Sequence, residues 1–139
     1  MNYYNYNFIC LLTSLIMLFI ICFRYNKIDF CYIFILSALF SIIWRSTKLI
    51  KGKEKIEENN NNLKHPLFIL DFVFALLVYI CLIYSKQINN KFIILTFFVF
   101  SLAWTYHFIN QRNISNTIHT TGHFYVILIF ILVFYFNIN

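Results

Sequence analysis

Residues 118–136 read I118-H119-T120-T121-G122-H123-F124-Y125-V126-I127-L128-I129-F130-I131-L132-V133-F134-Y135-F136. Past His123 the run is wholly apolar or aromatic. A segment of this length and character has the size of a membrane-crossing helix. Its start is different in kind, because His119 and His123 stand four residues apart. In a helix that spacing stacks both imidazoles on one face, one turn from each other. Ionisable rings at the mouth of a membrane-grade segment mark a candidate functional site.

The rest of the chain confirms the solvent. Only 12% of the 139 residues are charged and 61% are hydrophobic, against about a quarter charged in a soluble domain. The polar side chains are too few to cover a water-facing surface. In lipid every backbone N–H and C=O must be satisfied internally, which leaves helices or a closed barrel. The apolar runs are continuous rather than alternating, which selects helices. The expected fold is an all-α, multi-pass transmembrane bundle in a single integral membrane domain, 1–139. Its spans fall at 8–23, 30–44, 66–85, 92–109 and 118–136. The first apolar run lacks a basic leader and a small-x-small cleavage site, so it reads as a retained span rather than a signal peptide.

Between the second and third spans lies one long polar stretch, 45–65, which reads as a solvated loop. Its segment 48–58 has the alternative of a frayed amphipathic helix on the membrane surface. The Asn run at 59–62 fits an A- and T-rich coding bias, which also lowers the meaning of the many aromatics. The basic excess is small and mixed with Glu, so nucleic acid is not an expected partner; the lipid bilayer is. The four cysteines form no CxxC pair and lie in or beside apolar runs, where cysteine acts as a small hydrophobe. A Cys22–Cys31 disulfide across the first loop is conceivable. Metal ligation is not expected of any cysteine.

With five spans, the N-terminus, the 45–65 loop and the 110–117 loop share one side. That side holds Arg45, Lys48, Lys51, Lys53, Lys55, Lys64 and Arg112, against Arg24, Lys27, Lys86 and Lys91 on the other. The positive-inside rule then puts the N-terminus in the cytoplasm and the C-terminus outside. The Asn113-Ile114-Ser115 sequon faces the cytoplasm in this arrangement. Neither the particular membrane nor the oligomeric state follows from the sequence.

Helix count alone brings the unusual residues to one leaflet. Ser41 and Arg45 close the second span, His65 and Asp71 open the third, His107 closes the fourth, and His119 and His123 open the fifth. Gly122 would let a neighbouring helix approach beside the histidines. Three readings stay open. Arg45 can pair with Asp71 in a purely structural, non-enzymatic membrane protein, since a buried carboxylate needs a partner. His119 and His123 can ligate a metal, with a third ligand from another span and Asp71 holding or deprotonating a water. A haem can be held between His107 and one of the paired histidines on a different helix.

The pieces F-S41-I-I-W-R45, L-D71-F and I-H119-T-T-G-H123-F resemble the CREST superfamily of membrane hydrolases. That group includes the alkaline ceramidases, the adiponectin-receptor-like proteins and the Per1-like proteins. Its pattern is Ser-x-x-x-His ending one helix, an Asp near the start of the next, and His-x-x-x-His opening the last. The resemblance implies a Zn2+ ion bound by His119 and His123 and hydrolysis of a lipid amide or related lipid bond. In it Asp71 and Ser41 are the catalytic residues, Ser41 stabilising an oxyanion or supporting a neighbour. Arg45 stands where the family has a ligand histidine, so His65 or His107 would supply the third ligand. The family has seven helices where this chain has five expected spans.

Overall fold

A computed structural model describes residues 1–57, 65–109 and 111–138, with side chains left aside at 53–57. Its elements are α1 (Tyr3–Phe23), α2 (Cys31–Glu57), α3 (Pro66–Ser85), α4 (Asn90–Phe108) and α5 (Arg112–Phe134), with one 3-10 turn at Tyr25–Lys27 after α1. No strand occurs among the described residues. Each helix has a segment of 19 to 23 residues that is long and apolar enough to cross a membrane. At 1.5 Å per residue that is roughly 30 Å, the thickness of a bilayer's hydrocarbon core.

The helix ends follow from local chemistry. The Asn2 side chain caps α1 by accepting from the Asn5 N–H at 2.8 Å, and the Asn89 side chain caps α4 by accepting from Lys91 at 3.0 Å. Pro66 opens α3, where its missing N–H costs nothing, behind the His65 side chain, which accepts from Leu67 N–H at 3.3 Å. At the opposite end the Gln87 side chain ties two loops together. It donates to the Lys27 carbonyl at 2.8 Å and accepts from the Asp29 N–H at 2.9 Å.

Two boundaries differ from the sequence expectation. Residues 45–51 are not loop: α2 runs on through them to Gly52, whose φ of 73° breaks the helix before its last turn. No Pro or Gly interrupts 31–51, and Arg45 and Lys48 are buried there rather than solvated. Helix α5 likewise starts at Arg112, six residues before its apolar run. The Ser115 hydroxyl fastens that polar turn to α4 by donating to the Ala103 carbonyl at 2.7 Å. Ser115 of the sequon is thereby buried. The Asn run at 59–62 lies outside the described residues.

The packing is inverted relative to a soluble protein. Phe8, Phe19, Phe23, Ile80, Ile94 and Phe98 are exposed, while Asn7, Thr13, Ser14, Arg45, Thr96 and Thr120 are buried. Apolar side chains facing out and polar ones facing in suit a lipid solvent. The described residues thus form five helices of an integral membrane protein. The helices neighbour one another in the order α3–α2–α1–α5–α4, and α3 and α4 complete the circuit with far sparser contact. Ring contacts Phe68–Trp104, Phe72–Trp104 and Tyr79–Phe97 span that seam. One end of the interior is an apolar core of Ile20, Ile21, Ile28, Phe34, Ile88, Phe130 and Phe134. The other end is polar.

Candidate metal centre

The polar end grows out of one face of α1. Tyr6, Cys10 and Thr13 recur at helical spacing and meet α5, which runs parallel to α1. The Tyr6 hydroxyl is hydrogen-bonded to His119 Nδ1. Thr13 Oγ1 lies 3.1 Å from His123 Nδ1. Between these two rungs sits Cys10, fully buried. One ligand atom from each of Cys10, His119 and His123 falls within 4.8 Å of the others. The two imidazoles are 4.9 Å apart, centroid to centroid.

The Thr13 hydroxyl bears on the tautomer of His123. Its single hydroxyl hydrogen goes to the Cys10 carbonyl at 3.0 Å. With its hydrogen placed there, the Thr13 oxygen is free to accept the ring Nδ1–H of His123. A neutral imidazole protonated on Nδ1 carries a bare lone pair on Nε2, the form a metal requires. Holding one ring nitrogen by hydrogen bond so that the other can ligate is the usual support of a histidine ligand.

Helix α4 presses on the pair through Phe100, whose ring is 5.1 Å from that of His119 and 5.8 Å from that of His123, both edge-on. Gly122 permits this. A Cβ there would lie 2.9 Å from Phe100 Cζ, so the close approach anticipated at Gly122 is made by this ring.

The adjoining face of α1 meets α2 in an antiparallel ladder. Arg45 Nη1 donates to Asn7 Oδ1 at 3.2 Å, and the Ser14 and Ser41 hydroxyls are hydrogen-bonded to each other at 3.1 Å. The Arg45 guanidinium also lies 4.9 Å from the Tyr6 ring centroid. The expected Arg45–Asp71 ion pair is not formed: the guanidinium is turned toward Asn7 and Tyr6, partners that α1 brings into direct reach. Asp71 instead lines a cavity of about 490 Å3 together with Ser41, Arg45, His119 and His123. Arg45, Ser41 and Lys48 supply the charges and the dipole that act on its carboxyl group. The rest of the cavity wall is largely apolar, with Phe34, Leu76, Phe97 and Phe130 among its residues.

Of the residues singled out in the sequence, His119, His123, Asp71 and Ser41 share this cavity wall. The proposed third ligands stand elsewhere. His65 caps α3 and packs against Trp44 at 4.9 Å. His107 packs on Trp104 at 5.9 Å, and the cavity it shares with His119 holds only about 130 Å3, small for a cofactor as large as haem against the roughly 300–1,000 Å3 of typical ligand sites. The structure brings Cys10 to the pair instead, against the expectation that no cysteine ligates. The signal for it was the polar residues Asn7, Thr13 and Ser14 around Cys10 on a mostly apolar helix. All four cysteines are free, Cys22 and Cys31 included.

Sulfur with two imidazole nitrogens is a donor set that zinc accepts, leaving a fourth position for water or substrate. The Arg45 charge opposes a cation nearby, and a Cys10 thiolate would offset it. The residues present therefore fit the ion. No family model, curated protein or solved structure matches the chain.

Proposed function

We propose that the protein is a metal-dependent hydrolase that cleaves a lipid amide or a related lipid bond inside the bilayer. One observation carries the reading: His119 and His123 of the Cys10–His119–His123 cluster line a mostly apolar cavity that Asp71 also lines. A water-activating centre, a base and a greasy chamber are what hydrolysis of a membrane-borne substrate needs. When bound, zinc would supply Lewis acidity and lower the pKa of a coordinated water.

The chain's own residues do the remaining work. Thr13 and Tyr6 orient the two imidazoles. Asp71 accepts the proton of the attacking water and returns it to the leaving amine, so that water and amide become a carboxylic acid and an amine. Ser41, which acts on the Asp71 carboxyl group, would hold that carboxylate or the carbonyl oxygen of the substrate. The thin α3–α4 seam supports lateral access from lipid. The reading resembles the CREST chemistry with one change: the third ligand comes from α1, which accounts for Arg45 occupying the α2 position. The charge bias of the loops supports a cytoplasmic N-terminus and hence a site in the cytoplasmic leaflet.

A second reading has its own observation. Both imidazoles already hold a hydroxyl partner, and Asn7–Arg45–Tyr6–His119 links α2, α1 and α5 without any ion. In that case the protein is a non-enzymatic membrane protein with a structural polar network.

Fatty-acid release from ceramide and related lipids, measured by mass spectrometry after reconstitution with one equivalent of zinc, tests the proposal. The expected result is release that EDTA abolishes and Asp71→Asn lowers by about 10²–10⁴-fold, the usual contribution of a general base. Release unaffected by Asp71→Asn, or none from the zinc-loaded wild type, would favour the structural reading.

A further inference from the structure

The apolar chamber has a definite shape. Three helices present the same stripe to it, one residue per turn. Asp71, Ala75, Val78 and Leu82 line it from α3, and His119, His123, Val126 and Phe130 line it from α5. On α2 the stripe reads in reverse: Arg45, Ser41, Ala38 and Phe34. Such spacing keeps each set on one helix face. Each stripe begins among the polar groups of the candidate site and ends in the apolar core. There Phe34, Leu82 and Phe130 are buried, and the rings of Phe34 and Phe130 meet at 5.6 Å. The chamber is therefore a shaft, with the reactive groups at one end and an apolar floor at the other.

A stripe of this kind is about 16 Å long at 1.5 Å per residue. An extended chain advances about 1.2 Å per bond, since one residue's backbone spans about 3.3–3.6 Å, so the shaft accepts about 14 bonds of an acyl chain. Volume gives a second measure. A cavity of about 150 Å3 holds one benzene ring, and in that proportion the chamber's 490 Å3 hold roughly 20 carbon-sized groups. One chain of about 14–18 carbons with a few atoms of head fills that space, and two such chains do not fit. The α3–α4 seam offers a second chain no berth, because Phe68–Trp104, Phe72–Trp104 and Tyr79–Phe97 ring contacts bridge it. We infer that the chamber takes a lipid with a single long chain, of about 14–18 carbons, on a small head. The amine released then carries no chain of its own, and a two-chain amide such as ceramide is the poorer substrate. This names the substrate class of the hydrolysis proposed above and rests on that reading for its catalytic meaning.

The test is binding, measured by native mass spectrometry on the full chain with EDTA present, in a sterol-based detergent that has no acyl chain. The probes are N-acylethanolamines with saturated chains of about 8 to 22 carbons, which bracket the expected length, and N-palmitoylsphingosine, which keeps the amide and adds a second chain. Affinity should pass through an optimum at about 14–18 carbons, at least about threefold above either end of the series. A shorter chain forfeits dispersion contacts and a longer one overpacks the floor. N-palmitoylsphingosine should bind at least about tenfold more weakly than N-palmitoylethanolamine, in line with the cost of overpacking an interior. Val78→Phe sets a ring about 10 Å below Asp71 along α3. It should shorten the optimum by at least about four carbons and leave the shortest probe unchanged. A series without an optimum, equal binding of the two palmitoyl lipids, or an optimum that Val78→Phe leaves in place would each overturn the inference. Should Val78→Phe fail to fold, the wild-type optimum and the one-chain preference decide the matter. The chelator separates the two claims. A failed one-chain preference leaves hydrolysis of two-chain lipids standing, and a failed hydrolysis assay leaves the binding order intact.

Discussion

At the end of the bundle where α1 hands over to α2, the interior is Ile20, Ile21, Ile28, Phe34, Phe130 and Phe134. At the other end, within the same five helices, it is Tyr6, Asn7, Cys10, Thr13, Arg45 and the two histidines of α5. The first end is packed with side chains that have no polar atom to satisfy. The second end must place each donor opposite an acceptor, and leaves Arg45 Nε without one. In lipid there is no water-driven force between apolar helices, so the first end holds by close packing and the second by hydrogen bonds across helices. The difference divides labour: one end fixes the helices, and the other spends that rigidity on a constellation of groups with chemical potential.

Mutations can break this division. Phe130, 1% exposed, is the largest fully buried side chain at the apolar end. Phe130→Ala should destabilise the bundle by about 3–5 kcal/mol, read by thermal unfolding in detergent, while zinc content of the protein that remains folded is unchanged. A parallel loss of zinc would show that the two ends are not separable.

At the polar end the effect should reverse. Thr13→Val keeps shape but removes the oxygen that fixes His123. Zinc affinity, measured by competition with a chelating dye, should fall about 10–100-fold, as for other removed supports of a ligand. Unfolding temperature should change little. An unaltered affinity would mean that the hydroxyl does not set the tautomer. Gly122→Ala joins the two effects. Its Cβ would force the Phe100 ring away from the histidines, at about 1–3 kcal/mol for overpacking, together with weaker zinc binding. Smallest is Ser115→Ala, which removes the bond to the Ala103 carbonyl. It should cost about 0.5–1.5 kcal/mol and raise hydrogen exchange in the first turn of α5 without touching zinc.

The same two ends differ in how far the sequence discloses them. Continuous apolar runs disclose the spans, because lipid demands them wherever a helix crosses. They hide the polar extensions at 45–51 and 112–117, where the helix continues on partners rather than on hydropathy: Arg45 on Asn7, and Ser115 on the Ala103 carbonyl. His119 and His123 are legible because their pairing is local, four residues on one helix. Topology alone brings Asp71 and Ser41 to the same leaflet. Cys10 is not legible in this way. Within an apolar run a cysteine is ordinarily a small hydrophobe, and its meeting with α5 depends on a contact across more than a hundred residues. The turning of Arg45 from Asp71 to Asn7 is hidden for the same reason, since it depends on which of two helices stands nearer.

The proposed hydrolysis depends on Cys10, His119 and His123 forming one metal centre. Elemental analysis of the purified protein after zinc loading and desalting tests it most directly, beside Cys10→Ser and His119→Ala/His123→Ala shown by unfolding curves to be folded. The expected result is about one zinc per wild-type chain, as for a single structural or catalytic site, and less than about a tenth of that in each variant. Wild-type protein with no bound zinc, or Cys10→Ser retaining a full equivalent, would contradict it.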